Sequence, residues 1–215
     1  MGEKGIFITF EGPEGGGKST QLKRIAERLE SLGRRVVTTR EPGGTKLGEC
    51  IRGILQHDAA GEPPCERAES LLFCASRAQL VKNVIRPAIA SGACVLSDRF
   101  TDSTVAYQGY GRGLPVDTLK ALNAFATGGL RPDLTLVLDV PTEEGMRRML
   151  SRSAANSEGP DRFEREALEF HTRMRQGFLA LAGEEPDRCV VVDATPDPAT
   201  VTEAIWRIVS ERLLG

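Results

Sequence analysis

The chain has 215 residues, and its 28 Lys and Arg against 30 Asp and Glu give a net charge of −2, so no global basic field directs it to nucleic acid or to a membrane surface. With 40% hydrophobic and 27% charged residues it has the composition of an ordinary globule with room for one sizeable α/β core, and apolar runs such as 135–140 and 189–192 fall far short of the ~20 residues that span a bilayer. The five cysteines (Cys50, Cys65, Cys74, Cys94, Cys189) are irregularly spaced, with no C-x-x-C pair and with His57 and His171 far apart, which reads as scattered reduced thiols rather than a metal site or a disulfide framework.

The polar residues 1–4 lead straight into an apolar run and a Gly-rich loop. A cleaved signal peptide would remove that loop, so the expected setting is cytoplasmic. The run Ile6-Phe7-Ile8-Thr9-Phe10 predicts a first strand. Leu22, Ile25, Ala26, Leu29 and Leu32 then recur at helical spacing, with Gly33 as the stop. Residues 36–39 predict a second strand. Residues 66–90 read as one long helical segment that Pro87 either kinks or divides. Strands follow at 93–97, 134–138 and 189–192, and helices at 115–126, 142–151, 164–182 and 198–214. The strands are almost continuously apolar, as parallel strands buried on both faces are. Strand–helix alternation predicts a five-stranded parallel sheet flanked by helices on both faces. With no repeat and no linker, residues 1–215 are expected to form a single domain.

Residues 153–160 have no apolar anchor and are flanked by Arg147, Arg148, Arg152 and Arg162. They read equally as a surface loop and as an arginine-containing lid over phosphates, spanning about 147–163.

Gly12-Pro13-Glu14-Gly15-Gly16-Gly17-Lys18-Ser19 fits G-x-x-x-x-G-K-[ST] between a strand and a helix, the context that a P-loop requires. The glycines let backbone N–H groups wrap round phosphates, and the helix adds the positive end of its dipole. Lys18 is placed for the β- and γ-phosphates and Ser19 for Mg²⁺, so residues 12–20, Thr20 included, are the expected ATP site. The motif establishes phosphate binding and leaves the acceptor open.

Ligands of open α/β sheets sit beyond the carboxyl ends of the strands. There the second strand runs into Arg40-Glu41-Pro42-Gly43-Gly44-Thr45 and the third into Asp98-Arg99-Phe100. The Arg99 fork suits phosphate oxygens, and Asp98 either holds Mg²⁺ through water or orients Arg99. Phe73 and Arg77, four apart on one helix, share a face and are either core residues or a base pocket. Ser103, Thr104, Tyr107 and Gln108 add hydroxyls, a ring and an amide.

Together these segments resemble the thymidylate kinase family over nearly the whole chain. The resemblance rests on Phe10-Glu11-Gly12, on Thr39-Arg40-Glu41-Pro42-Gly43-Gly44-Thr45, on Asp98-Arg99-Phe100 with Ala106-Tyr107-Gln108-Gly109 and Gly111-Arg112-Gly113, and on Asp161-Arg162-Phe163-Glu164. It implies phosphoryl transfer from Mg-ATP to dTMP by a homodimer with contacts such as Leu71, Leu72 and Ala75. It implies that Phe73 stacks on thymine, that Arg77 bonds O4, and that Thr104 with Ser103 lies near N3. Tyr107 would crowd out a 2′-hydroxyl, Glu14 would face the 3′-hydroxyl or its waters, and Arg99 would bind the acceptor phosphate, with Arg40 and Arg52 as weaker candidates. Residues 193–196 would form the adenine-side loop. The P-loop holds no Arg, so the catalytic arginine is expected from the lid, as Arg148 or Arg152. Another small-molecule P-loop kinase would share the donor site. A P-loop switch is disfavoured, since a GTPase would need an N-K-x-D motif that the sequence lacks.

Overall fold

The computed structural model of the protein describes residues 5–57, 59–155 and 161–214, with 153–155 described by backbone alone. Five strands form one all-parallel sheet: β1 (Ile6–Glu11), β2 (Val36–Arg40), β3 (Cys94–Asp98), β4 (Leu134–Asp139) and β5 (Cys189–Asp193), in the order β2-β3-β1-β4-β5. The order reverses direction at β1, and loops at the carboxyl edge diverge there to leave a crevice. Phe10 is paired with Asp98, and Asp98 with Arg40. The register therefore brings the loops after β1, β2 and β3 to one edge.

Helices cover both faces. α1 (Lys18–Ser31) and α9 (Pro198–Val209) pack on one, where Ile25, Leu29 and Ile205 join Ile8, Leu96 and Leu136 in a buried cluster. On the other face, α3 (Glu66–Leu80) and α8 (Leu168–Glu184) cover Phe7, Val95 and Val137. The remaining helices are α2 (Lys46–His57), α4 (Arg86–Ala90), α5 (Thr101–Thr104), α6 (Val116–Thr127) and α7 (Thr142–Ala155).

The long helical segment runs unbroken through its proline. A π-helical stretch, Val81–Ile85, joins α3 to α4, and the Arg86 N–H reaches back to Val81 O. Pro87 follows directly in α4, so its missing N–H falls inside a continuous helical run, next to the π-helical stretch. A second π-helical stretch, Val105–Gly111, continues α5. α2 has no counterpart in the sequence reading. Its buried residues are only Gly48, Ile51 and Leu55, a narrow stripe, and Gly48 is a poor helix former. Tertiary packing explains that glycine, since a Cβ there would lie 2.6 Å from Gly43 O. α7 runs on to Ala155, so the first half of the expected lid is helix.

The sheet centre should carry most of the stability. Leu96→Ala, at a fully buried position, is expected to lower the unfolding free energy by ~2–5 kcal/mol. Val191→Ala, at a position 45% exposed, should cost well under ~1.5 kcal/mol. Urea denaturation of the two variants reads the difference.

Candidate active site

The turn after β1 is built from glycines in the left-handed region: Gly12 (φ 119°), Gly15 (73°) and Gly17 (78°). At Gly12 a Cβ would also lie 2.5 Å from Leu138 O, so β4 itself excludes a side chain. Lys18 opens α1 and is 7% exposed. Its ammonium donates to Gly12 O (3.1 Å) and Pro13 O (2.7 Å). Burial, and then the charge of Arg99, lower its pKa to about 8. Bound phosphates would act in the opposite sense. The Ser19 hydroxyl donates to Asp98 Oδ2 across 2.5 Å.

Arg99 follows β3 with φ 72°, the positive value of a non-glycine residue that stands alone among the described residues. Such a conformation costs energy unless its surroundings enforce it. They do so here: the Arg99 N–H donates to Phe10 O (2.9 Å). The guanidinium donates to Gly12 O (3.3 Å), Ser103 Oγ (3.1 Å), Glu14 Oε1 (2.5 Å) and Tyr107 Oη (2.7 Å), and the Tyr107 hydroxyl donates a hydrogen bond to Glu14 Oε1 (2.6 Å). Burial pushes the Glu14 pKa up, but the charges of Arg99 and Lys18 outweigh it and hold the carboxyl at about 2.

P-loop and acceptor loops line one cleft of about 430 Å³. Beyond Arg99 it runs to Phe73, Thr104, Gln108 and Phe163. The Phe73 and Phe163 rings lie 5.8 Å apart, and Phe163 lies 5.9 Å from Tyr107. Arg77 is 1% exposed. All five of its donors are engaged: Nε and Nη2 with Glu41 Oε2 (2.8 and 2.5 Å), Nη1 with Thr104 Oγ1 (3.0 Å) and Asn123 Oδ1 (2.6 Å), and Nη2 with Phe100 O (3.0 Å). Arg40 bonds Glu49 (2.9 Å) and Arg52 bonds Pro42 O (3.1 Å), both at the rim with Pro42.

A sequence model of the family described as thymidylate kinase matches residues 10–205. The chain is 52% identical to the thymidylate kinase of Solidesulfovibrio magneticus over 97% of this chain and the whole of that one. The chain belongs to the thymidylate kinase family. A thymidylate kinase from a Synechococcus strain is 50% identical over 97% of this chain and 96% of its own length. A solved thymidylate kinase from Ehrlichia chaffeensis superposes with a TM-score of 0.75 at 32% identity, covering 95% of this chain and 98% of that one.

Of the two arginines expected from the family's lid, Arg152 lines the cleft, ion-paired with Glu164. Arg148 is not among the cleft-lining residues but reaches Gly15 O of the P-loop (3.5 Å). It donates to Ala194 O (2.8 Å), Thr195 O (2.9 Å) and Glu144 (2.6 Å), so its donors pin the 193–196 loop. Residues 156–160 of the expected lid lie outside the described residues. Sequence reasoning passed over Glu69, a carboxylate 1% exposed that accepts from Gln108, Arg112 and Arg162. Its signal was position: residues 69, 73 and 77 fall four apart on one helix face.

The depressed Glu14 carboxyl stabilises the fold fully above its ordinary value of 4.5, and that contribution disappears as the pH falls toward about 2. Between pH 6 and 2 the wild type should lose ~3 kcal/mol more than Glu14→Gln. Parallel urea titrations at each pH would show it, and parallel acid limbs would contradict it.

Proposed function

We propose that this chain transfers the γ-phosphoryl group of Mg-ATP to dTMP, giving dTDP and ADP in the cytoplasm. The observation that carries the reading is the continuity of a single cleft. A P-loop lies at one end, an aromatic and hydroxyl-lined chamber at the other, and Arg99 between them.

The donor set around Ser19 suits Mg²⁺. A hydroxyl and a carboxylate oxygen converge there, and no group of three or more His, Cys, Asp or Glu side chains poised for a metal occurs among the described residues. That matches an ion that keeps its waters and relies on one or two protein oxygens plus phosphates. When bound, Mg²⁺ supplies charge neutralisation at the β- and γ-phosphates. Lys18 exchanges the Gly12 and Pro13 carbonyls for phosphate oxygens. Arg99 exchanges Glu14 for the acceptor phosphate, and Glu14 is released toward the 3′-hydroxyl. Arg152 leaves Glu164 to meet charge that develops on the transferred group. The acceptor oxygen is already anionic near neutral pH, so alignment and charge stabilisation suffice without a general base. Tyr107, held between Arg99 and Glu14, packs against the deoxyribose. Arg77 meets O4 by giving up Thr104, whose hydroxyl then faces N3.

Lys18→Ala should lose ~10²-fold or more in kcat with the fold intact. A coupled ADP-release assay over dTMP, dUMP, dCMP and dGMP reads both this loss and substrate choice. Near-normal turnover of the variant, or a preference for another acceptor, would overturn the assignment.

The active form in this reading is a homodimer. The support is an apolar surface on neighbouring helices: Leu47 of α2, Leu71 and Ala75 of α3, and Phe125 of α6 are exposed, Phe125 at 89%. Light scattering at micromolar concentration is expected to give twice the chain mass. A species of single-chain mass would refute it.

A further inference from the structure

α1 and α9 meet across an apolar seam that holds Leu22, Ile25, Leu29, Val201 and Ile205. At the P-loop end of the seam a polar pair replaces it: Gln21, 2% exposed, and Thr202, 4% exposed. The Gln21 N–H closes the first turn of α1 on Gly17 O (3.0 Å). Its side chain crosses to α9, where Nε2 donates to Pro198 O (2.9 Å) and Oε1 accepts from the Thr202 hydroxyl (2.7 Å). That hydroxyl also lies 2.7 Å from Pro198 O. Both ends of the amide are therefore engaged, three residues after Lys18 and two after Ser19.

Pro198 opens α9, and residues 194–197 lead into it from β5. The far end of that loop is tied to the P-loop by Arg148, which joins Ala194 O (2.8 Å) and Thr195 O (2.9 Å) to Gly15 O (3.5 Å). Within the loop, Asp193 accepts from the Thr195 N–H (2.9 Å), and Asp197 caps α9 through the N–H of Ala199 (2.8 Å). Thr195, Pro196 and Asp197 stay exposed. A short open shelf is thus fixed at one end to the P-loop and at the other to the helix turn that follows it.

Buried hydrogen bonds add little net stability over apolar groups of the same shape, and the seam around Gln21 is apolar already. What a fully satisfied buried amide adds is direction. Side chains of a plain apolar seam leave the two helices free to settle by small slides. The two bonds of Gln21 allow one placement of the α9 N-terminus against the turn that carries Lys18 and Ser19.

We propose that Gln21 is a positioning residue for the base of the donor nucleotide, setting the span between the loop after β5 and the P-loop. The proposal rests on the reading above, in which the donor is ATP, with its base at that loop. A nucleotide that is gripped at its phosphates and at its base needs the two sites at one fixed separation, and an error in that separation is felt by ligands that bridge it. A ligand that occupies the phosphate site alone does not feel it.

The test compares two probes by isothermal titration in the presence of Mg²⁺: ADP, which has a base, and inorganic tripolyphosphate, which has none. Gln21→Leu strands no charge. It should weaken ADP ~10-fold and raise KM for ATP similarly, while tripolyphosphate affinity, kcat and KM for dTMP stay within ~2-fold. The double variant Gln21→Leu with Thr202→Val makes the contact wholly apolar. Its unfolding free energy should equal or exceed that of the wild type, yet it should show the same loss for ADP alone, and it keeps the proposal testable if the single variant folds poorly. An equal loss for ADP and tripolyphosphate would overturn the proposal, since Gln21 would then support the P-loop itself. Wild-type affinity for ADP in the folded double variant would overturn it as well. Wild-type protein that binds tripolyphosphate as tightly as ADP would instead show that no base is held, and that the donor reading beneath the proposal is wrong.

Discussion

The active end of this molecule depends on one carboxylate at the tip of the central strand. Glu11 is fully buried and accepts from the Phe100 N–H (2.8 Å), the Ser103 N–H (3.2 Å) and the Ser103 hydroxyl (2.5 Å). Phe100 precedes α5 and offers no side-chain cap of its own, so the exposed N–H groups of that helix are satisfied from β1. Burial, and then the charge of Asp102, push the Glu11 pKa up to about 7, while Ser103, Arg99 and Phe100 pull against the shift. The same contact locks the turn in which Arg99 adopts its left-handed backbone. The strand that carries the P-loop therefore also sets the acceptor loop, and the donor and acceptor halves of the cleft share one anchor.

A second anchor holds the opposite side of α5. Arg188, just before β5, grips Asp102 with two bonds (2.8 and 2.9 Å) and also donates to Thr135 Oγ1 (2.6 Å), which pairs with Thr9 Oγ1 (2.8 Å). A charged, hydrogen-bonded chain thus crosses from the far strand to the helix that carries Ser103 and Thr104. Breaking such a pair leaves an uncompensated buried charge, at ~3–5 kcal/mol. The rigidity this gives to the floor of the cleft is the condition for placing phosphates within bonding distance of fixed donors.

The site meets its charges with internal partners. Glu14 occupies Arg99, Glu164 occupies Arg152, and backbone carbonyls occupy Lys18. Each cation that the mechanism uses is thereby satisfied by a group that an anionic phosphate can replace. The base end differs. Arg77 and Glu69 sit in bonds that no substrate displaces wholesale, and there the chemistry is one of orientation. Truncating Arg77 would strand Glu41 in the interior, so that residue is a poor probe of base recognition, whereas Gln108 can be changed without unpairing a charge.

The sequence by itself determined the donor half of this protein. A P-loop is a contiguous stretch whose function lies in its own backbone, so the spacing of Gly12, Gly17, Lys18 and Ser19 carried it without tertiary information. Strand–helix alternation likewise carried the five parallel strands, and the local segments at 39–45 and 98–109 carried the family. Only the tertiary structure decided what depends on packing between distant segments. α2 was passed over although Leu47, Ile51, Ile54 and Leu55 recur at helical spacing, because two glycines, Gly48 and Gly53, interrupt that pattern, and Gly48 is explained only by the backbone of Gly43. The choice of Arg152 over Arg148 for the cleft depends on which way α7 turns its successive faces toward the loop after β5. The work of Glu69 was invisible because its partners, Gln108, Arg112 and Arg162, come from two remote parts of the chain. A buried carboxylate takes its role from the donors that converge on it, and convergence in space leaves no local pattern in a sequence.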